Sequence, residues 1–230
     1  MGEQLVFDLP SRPALGRQDF LVAPCNRAAV AWIDRWPDWP APGLAIWGPA
    51  ASGKSHLAEV WCRRSEAREV RAMSLATGDA HAALAAGPAV VIEDAEGGLD
   101  AGAEEGLFHL YNLLAEGGGH LLLTGRRPPA RWPLVLADLG SRLAALPAVA
   151  IEAPDEALIA ALIVKLFADR QLRVGREVLA FLLPRMERSF AAARRLVADI
   201  DAAALARQQA VTVPLAREVL ARLAPEGEDT

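Results

Sequence analysis

Gly48-Pro49-Ala50-Ala51-Ser52-Gly53-Lys54-Ser55 fits the spacing G-x-x-x-x-G-K-[ST]. In that pattern the glycines let backbone N–H groups close around phosphate oxygens. The lysine reaches the β- and γ-phosphates, and the final hydroxyl ligates Mg²⁺. All eight residues, Gly48, Pro49, Ala50, Ala51, Ser52, Gly53, Lys54 and Ser55, are therefore expected to cradle the phosphates of a nucleoside di- or triphosphate, ADP or ATP. Arginine has displaced lysine almost everywhere else, and Lys165 is the only other lysine. A lysine kept at 54 points to its chemistry.

Ala89-Val90-Val91-Ile92-Glu93-Asp94 is an apolar run ending in two carboxylates. Such acids stand beside a P-loop-bound Mg²⁺ and an attacking water, which makes Glu93 and Asp94 the candidates for those two tasks. A strand end whose acids are merely solvated has the same pattern. The position of this one, a strand and a helix downstream of Lys54, suits a nucleotide hydrolase. Arg142 lies near the end of a helical stretch and is open to two readings, a guanidinium for a phosphoryl group or a helix-end partner. Arg126, Arg127 and Arg131 form a local basic patch that could face an acidic partner surface.

These residues need a scaffold. Leu44 to Trp47 reads as a buried strand and Lys54 to Arg64 as the helix whose N-terminus receives the phosphates. Strand and helix then alternate: Glu69 to Leu75, His81 to Ala86, Ala89 to Ile92, Glu104 to Glu116, His120 to Thr124, a helix around Leu136 to Ala144, and Ala148 to Ile151. That alternation predicts an α/β fold with a parallel sheet covered by helices. After Pro154-Asp155, a start signal with Pro and an acid in the first turn, only helical patterns follow. The expected organisation is a flexible segment 1–20, an α/β core 21–153, a helical domain 154–224 and an acidic tail 225–230.

The formal charge of −5 and isoelectric point near 5.5 argue against a protein that neutralises DNA phosphates by itself. Hydrophobic residues make up 53%, yet no apolar stretch approaches the roughly 20 residues of a membrane helix. No secretory pattern precedes Gln4, so a cytoplasmic location is expected. Cys25 and Cys62 lack metal-ligand spacing, and His56, His81, His109 and His120 form no cluster with them, which argues against zinc and against a disulfide.

A P-loop core followed by a helical lid resembles the AAA+ proteins, and within them the DnaA-related Hda family. The segments that carry this are Leu122-Leu123-Thr124-Gly125-Arg126-Arg127-Pro128-Pro129, Asp138-Leu139-Gly140-Ser141-Arg142-Leu143 and Thr212-Val213-Pro214-Leu215, similar to the family's sensor-1 strand, arginine-finger motif and last lid helix. The resemblance covers nearly the whole chain. It implies that Arg142 is an arginine finger lent in trans to DnaA, and that Leu21, Val22 and Asn26 lie beside the adenine. It also implies that Gln4-Leu5-Val6-Phe7-Asp8-Leu9-Pro10 is a sliding-clamp-binding peptide, with Gln4, Leu5, Phe7 and Leu9 in contact with the β clamp. On its residues alone, that heptad also fits a terminal strand. The DNA-binding domain that follows the lid in DnaA is not expected here, so DNA is reached only indirectly through the clamp, and self-association is a further possibility.

The chain departs from the family at three positions. Glu93 stands where DnaA has aspartate, Arg126 occupies the sensor-1 position, and Ala191 occupies the sensor-2 position, with Arg194 one turn further on. Nucleotide binding survives these changes better than hydrolysis does. The expected function is a clamp-associated regulator that stimulates hydrolysis of DnaA-bound ATP and restrains initiation. The alternative is an autonomous ATPase acting as a helicase loader or remodelling factor.

Overall fold

The computed structural model describes residues 22–77, 80–84 and 87–223. Gln4, Leu5, Phe7, Leu9 and Leu21, with the segments expected at 1–20 and 225–230, lie outside the described residues. The chain divides into two compact units, one reaching to Glu152 and the other beginning at Ala153.

The first unit is built on five parallel strands: β1 (Gly43–Trp47), β2 (Arg68–Glu69), β3 (Ala89–Ile92), β4 (His120–Gly125) and β5 (Ala148–Ala150), in the order β2-β3-β4-β1-β5. Both faces are covered, which is why β1, β3 and β4 read as continuous apolar runs. Alternate residues point to opposite faces. Ala45, Val90, Ile92, Leu121 and Leu123 pack with Leu107, Leu110 and Leu114 of α4 (Ala101–Gly117) and with Leu139 and Leu143 of α5 (Ala137–Ala144). Leu44, Ile46, Val91 and Leu122 pack with Ala29 and Ile33 of α1 (Arg27–Arg35) and with Leu57, Ala58 and Trp61 of α2 (Lys54–Ser65). The short α3 (Ala80–Leu84) lies between β2 and β3 in sequence.

One expected strand is much shorter than its sequence pattern. Pairing with β3 ends at Val70, whose N–H donates to Val91 O at 2.9 Å, and residues Ala72–Thr77 wind into a 3₁₀ turn. The turn drops Ala72 and Leu75 into the core, against α4. A β-carbon on Gly106 of α4 would stand 2.2 Å from Leu75 O, so the turn and the helix pack backbone to backbone.

The N-terminal edge of the sheet is held by an aromatic cluster. Trp61 stacks on Trp39 at 5.5 Å and meets Trp36 edge-on at 6.3 Å, and His120 lies edge-on to both Trp36 and Trp39. Arg64 donates to Ile33 O, Asp34 O and Trp36 O, satisfying carbonyls left over at the end of α1. Tying α1 to α2 in this way leaves the opposite, C-terminal edge free for loops.

The second unit consists of α6 (Glu156–Asp169), α7 (Arg176–Leu182), α8 (Phe190–Arg207) and α9 (Val213–Leu223). Asp155 and Ser189 start α6 and α8 as side-chain caps, accepting from Leu158 N at 2.7 Å and Ala192 N at 3.0 Å. Ile159, Ile163, Phe167, Val178, Leu182, Val197, Ile200 and Ala216 form its buried centre. No helix among the described residues is long and apolar enough to cross a membrane.

Candidate functional site

The loop from Gly48 to Gly53 leaves β1 and runs straight into α2. Its shape requires glycine at both ends. A β-carbon on Gly48 would sit 2.1 Å from Ile151 O, so only a bare backbone lets the loop pass the chain leaving β5. Gly53, at φ +102°, turns the chain into the first turn of α2 and has no atom within 4 Å of where its β-carbon would stand. That open space, at the N-terminal and electropositive end of a 12-residue helix, suits phosphate oxygens. Ser52 Oγ is buried in the loop without a hydrogen-bond partner among the described residues. Lys54 folds back over the loop and donates to Gly48 O at 2.9 Å and Pro49 O at 2.7 Å. Burial lowers its pKa from the ordinary value. Asp94 and Glu93 oppose that shift, and the charge of Arg126 adds to it.

Strand pairing brings three loops to this edge. Gly48 N–H donates to Gly125 O at 3.1 Å, which sets the end of β4 beside the start of the phosphate loop. Ile92 is in register with Leu123, so Glu93 and Asp94 emerge next to Thr124 and Gly125. Asp94 adopts φ +46°, and its N–H donates to the buried Thr124 Oγ1 at 2.9 Å. Both acids are close enough to act on the Lys54 ammonium. Glu93 and Ser55 line one cleft of about 560 Å³ together with His56, Glu59, Cys62 and Glu69. A hydroxyl and a carboxylate facing one space are hard oxygen donors suited to Mg²⁺, which takes one or two protein ligands and completes its shell with phosphate oxygens and water. The described residues contain no cluster of three His, Cys, Asp or Glu side chains able to hold a metal. Burial pushes the Cys62 thiol up to about 11, with Glu69, Glu93 and Glu59 adding to the shift, so the cysteine in this cleft is a neutral wall.

Arg142 is exposed in the last turn of α5, on the flank of the sheet covered by α4. Its guanidinium lies 5.2 Å from the Phe108 ring centre and 5.7 Å from that of Tyr111, and it pairs with no carboxylate among the described residues. Arg127 is instead engaged by Glu96, Nε to Oε1 at 2.7 Å, while Arg126 is exposed and in no ion pair among the described residues. Half-buried Val22 packs on the cluster of Ile46 and Ile151, and buried Asn26 accepts from Ala23 N at 2.8 Å through Oδ1. Ala191 and Arg194 occupy the first turns of α8 in the second unit.

Two residues of this region escaped the sequence reading. Thr124 is the one polar side chain in the Leu121-Leu122-Leu123 run, and that contrast was its signal. Glu104 lies on the apolar stripe of α4 that continues through Leu107 and Tyr111, an unusual place for an acid.

With its Gly48–Gly53 loop leaving a strand that has later strands on both sides, and its last four helices gathered in a second unit, the chain has an AAA+ fold. Residues 155–220 match the family model described as Hda, lid domain. The match lies within the second unit, and the chain as a whole shares its fold with DnaA structures. Domain III of the replication initiation protein DnaA from Thermotoga maritima aligns with a TM-score of 0.70 at 19% identity, over 94% of this chain and 100% of that one. A DNA replication initiation factor aligns at 0.65 and 18% identity, over 83% of this chain and 66% of that one. AMPPCP-bound DnaA from Aquifex aeolicus aligns at 0.63 and 18% identity, over 78% of this chain and 62% of that one. The chain thus spans slightly less than two thirds of the length of the last two structures.

Proposed function

We propose that this protein is a nucleotide-holding AAA+ regulator of DnaA that lends Arg142 to a nucleotide bound by its partner. The carrying observation is the state of Arg142: exposed, paired with no acid among the described residues, and braced on two aromatic rings of its own chain. A guanidinium held outward in this way suits a phosphoryl group from another molecule, where a finger supplied in trans accelerates hydrolysis by about 10³–10⁵-fold. The Hda lid match and the DnaA-like fold support DnaA as that partner. The chain's own loop would hold ADP or ATP, with Lys54 on the phosphates and Ser55 and Glu93 on Mg²⁺, as a ligand that fixes its conformation. The similarity to AMPPCP-bound DnaA supports the nucleotide. Gln4, Leu5, Phe7 and Leu9 would dock weakly on the sliding clamp, where two copies on one oligomer gain through effective concentration.

The test is hydrolysis of radiolabelled ATP on DnaA, with this protein added in the presence and absence of clamp loaded on DNA. Stimulation is expected only with the clamp, and it should disappear in both Arg142→Ala and Gln4→Ala. A second reading, an autonomous ATPase, draws on Glu93 and Asp94 acting on Lys54 within one site. Steady-state turnover by the isolated protein without stimulation of DnaA would replace the first reading by the second.

A further inference from the structure

Glu104 is only 2% exposed, the one buried carboxylate among the described residues. A carboxylate taken out of water is costly unless hydrogen bonds compensate it. Here they come from two consecutive backbone groups 31 and 32 residues away: Val135 N–H donates to both oxygens at 3.0 Å, and Leu136 N–H donates to Oε2 at 2.6 Å. Leu136 is the N-cap of α5 and offers no capping side chain. Glu104 therefore supplies, from α4, the cap that α5 lacks, and it places a negative charge at that helix's positive end.

The other end of α5 also rests on α4. Arg142 lies over Phe108 and Tyr111, four and seven residues beyond Glu104 on the same stripe. At about 1.5 Å per residue, Leu136 to Arg142 spans about 9 Å, and Glu104 to Phe108 and Tyr111 about 6–10 Å. The two helices run side by side with both contacts in register, so fixing the start of α5 fixes the height and rotation at which Arg142 leaves it. We propose that Glu104 is a positioning residue for Arg142: it holds α5 so that the guanidinium lies on the Phe108–Tyr111 face, oriented before any partner arrives. This inference rests on the reading of Arg142 given above.

The experiment compares wild type, Glu104→Ala, Glu104→Gln and Arg142→Ala in two assays. The first is stimulated hydrolysis of DnaA-bound ATP as a function of this protein's concentration. The second is the ¹H–¹⁵N resonance of the Arg142 Nε group, which the two rings shift upfield. Glu104→Ala should lower the maximal stimulated rate by about 10- to 100-fold, the scale of a misplacement near 1 Å. The half-saturating concentration and the protein's own nucleotide affinity should stay unchanged, and the ring shift of Arg142 should be lost. Glu104→Gln keeps one acceptor oxygen and should recover part of both, and it carries the test if the alanine variant fails to fold. A dead Arg142→Ala beside a fully active Glu104→Ala overturns the positioning role alone. An active Arg142→Ala overturns the finger reading instead. In that case the resonance decides for Glu104, and an unchanged Arg142 shift in Glu104→Ala overturns the proposal.

Discussion

Glu96 holds Arg127 by side chain and backbone at once: its Oε1 takes Arg127 Nε at 2.7 Å, while its Oε2 accepts the N–H groups of Arg126 and Arg127 at 3.1 and 2.9 Å. The chain leaving β4 is therefore pinned to the turn leaving β3, and the exit of Arg126 is fixed by Glu96.

Burial of Glu96 raises its pKa, but the hydrogen bonds and charge of Arg127 outweigh this, and the net shift is downward. A carboxyl with a lowered folded pKa adds stability above its unfolded pKa, and that stability is lost as pH falls through the folded value. Glu96→Gln should cost about 1–3 kcal/mol near neutrality. Urea unfolding followed from roughly pH 6 to pH 3 should show wild type losing more stability than the variant over that range. Parallel curves would mean the clasp is already offset by desolvation.

The two loop glycines should fail differently. Gly48→Ala drives a methyl group into Ile151 O, a backbone atom with little freedom to move, so loss of folded protein is expected in a thermal melt. Gly53→Ala meets no atom but must hold φ +102°, a strain of about 1–3 kcal/mol, and its methyl enters the space suited to phosphate. It should melt only a few degrees lower yet bind ADP much more weakly by calorimetry. Equal ADP affinity in Gly53→Ala and wild type would show that the phosphates lie elsewhere.

What sequence reveals here depends on distance along the chain. The sheet was legible because burial on both faces leaves unbroken apolar runs at Ala89–Ile92 and Leu121–Leu123, and the turn from β1 into α2 because its eight residues are contiguous. The alternation also foretold the covering helices and the change to an all-helical second unit. The strand expected from Glu69 to Leu75 stops early because the core reclaims Ala72 and Leu75, a tertiary demand that no local period records. Thr124 and Glu104 act through partners 30 to 32 residues away, so their roles appear only once β3 meets β4 and α4 meets α5.

Cys62 offers a pH signature of the cleft beside Ser55. Its folded pKa, pushed up to about 11 from an ordinary 9.0, means that the folded state keeps a proton the unfolded chain releases. Stability should therefore fall as pH rises from 9 towards 11, the window set by those two values. The half-exposed position of Cys62 makes the loss modest. Cys62→Ser should flatten that alkaline decline in denaturant midpoints. Alkylation at mildly alkaline pH should also leave Cys62 largely unmodified under native conditions and label it once the chain is unfolded.

Lys54 should make nucleotide affinity depend on pH. In the free protein its ammonium donates to Gly48 O and Pro49 O, and burial lowers its pKa despite Asp94 and Glu93. Phosphate oxygens brought to the same ammonium favour its charged form, so its pKa rises in the complex. A group whose pKa is raised on binding contributes fully while it is protonated in the free state, and the contribution is lost as pH climbs through the free-state value. ADP affinity should hence be flat near neutrality and decline on the alkaline side, beginning below the ordinary lysine range. Lys54→Ala should weaken ADP binding by at least about 30-fold, near 2 kcal/mol or more, and abolish that alkaline decline. Calorimetric titrations of both proteins across the alkaline range check it, and an alkaline decline of equal size in Lys54→Ala would assign the titration to another group.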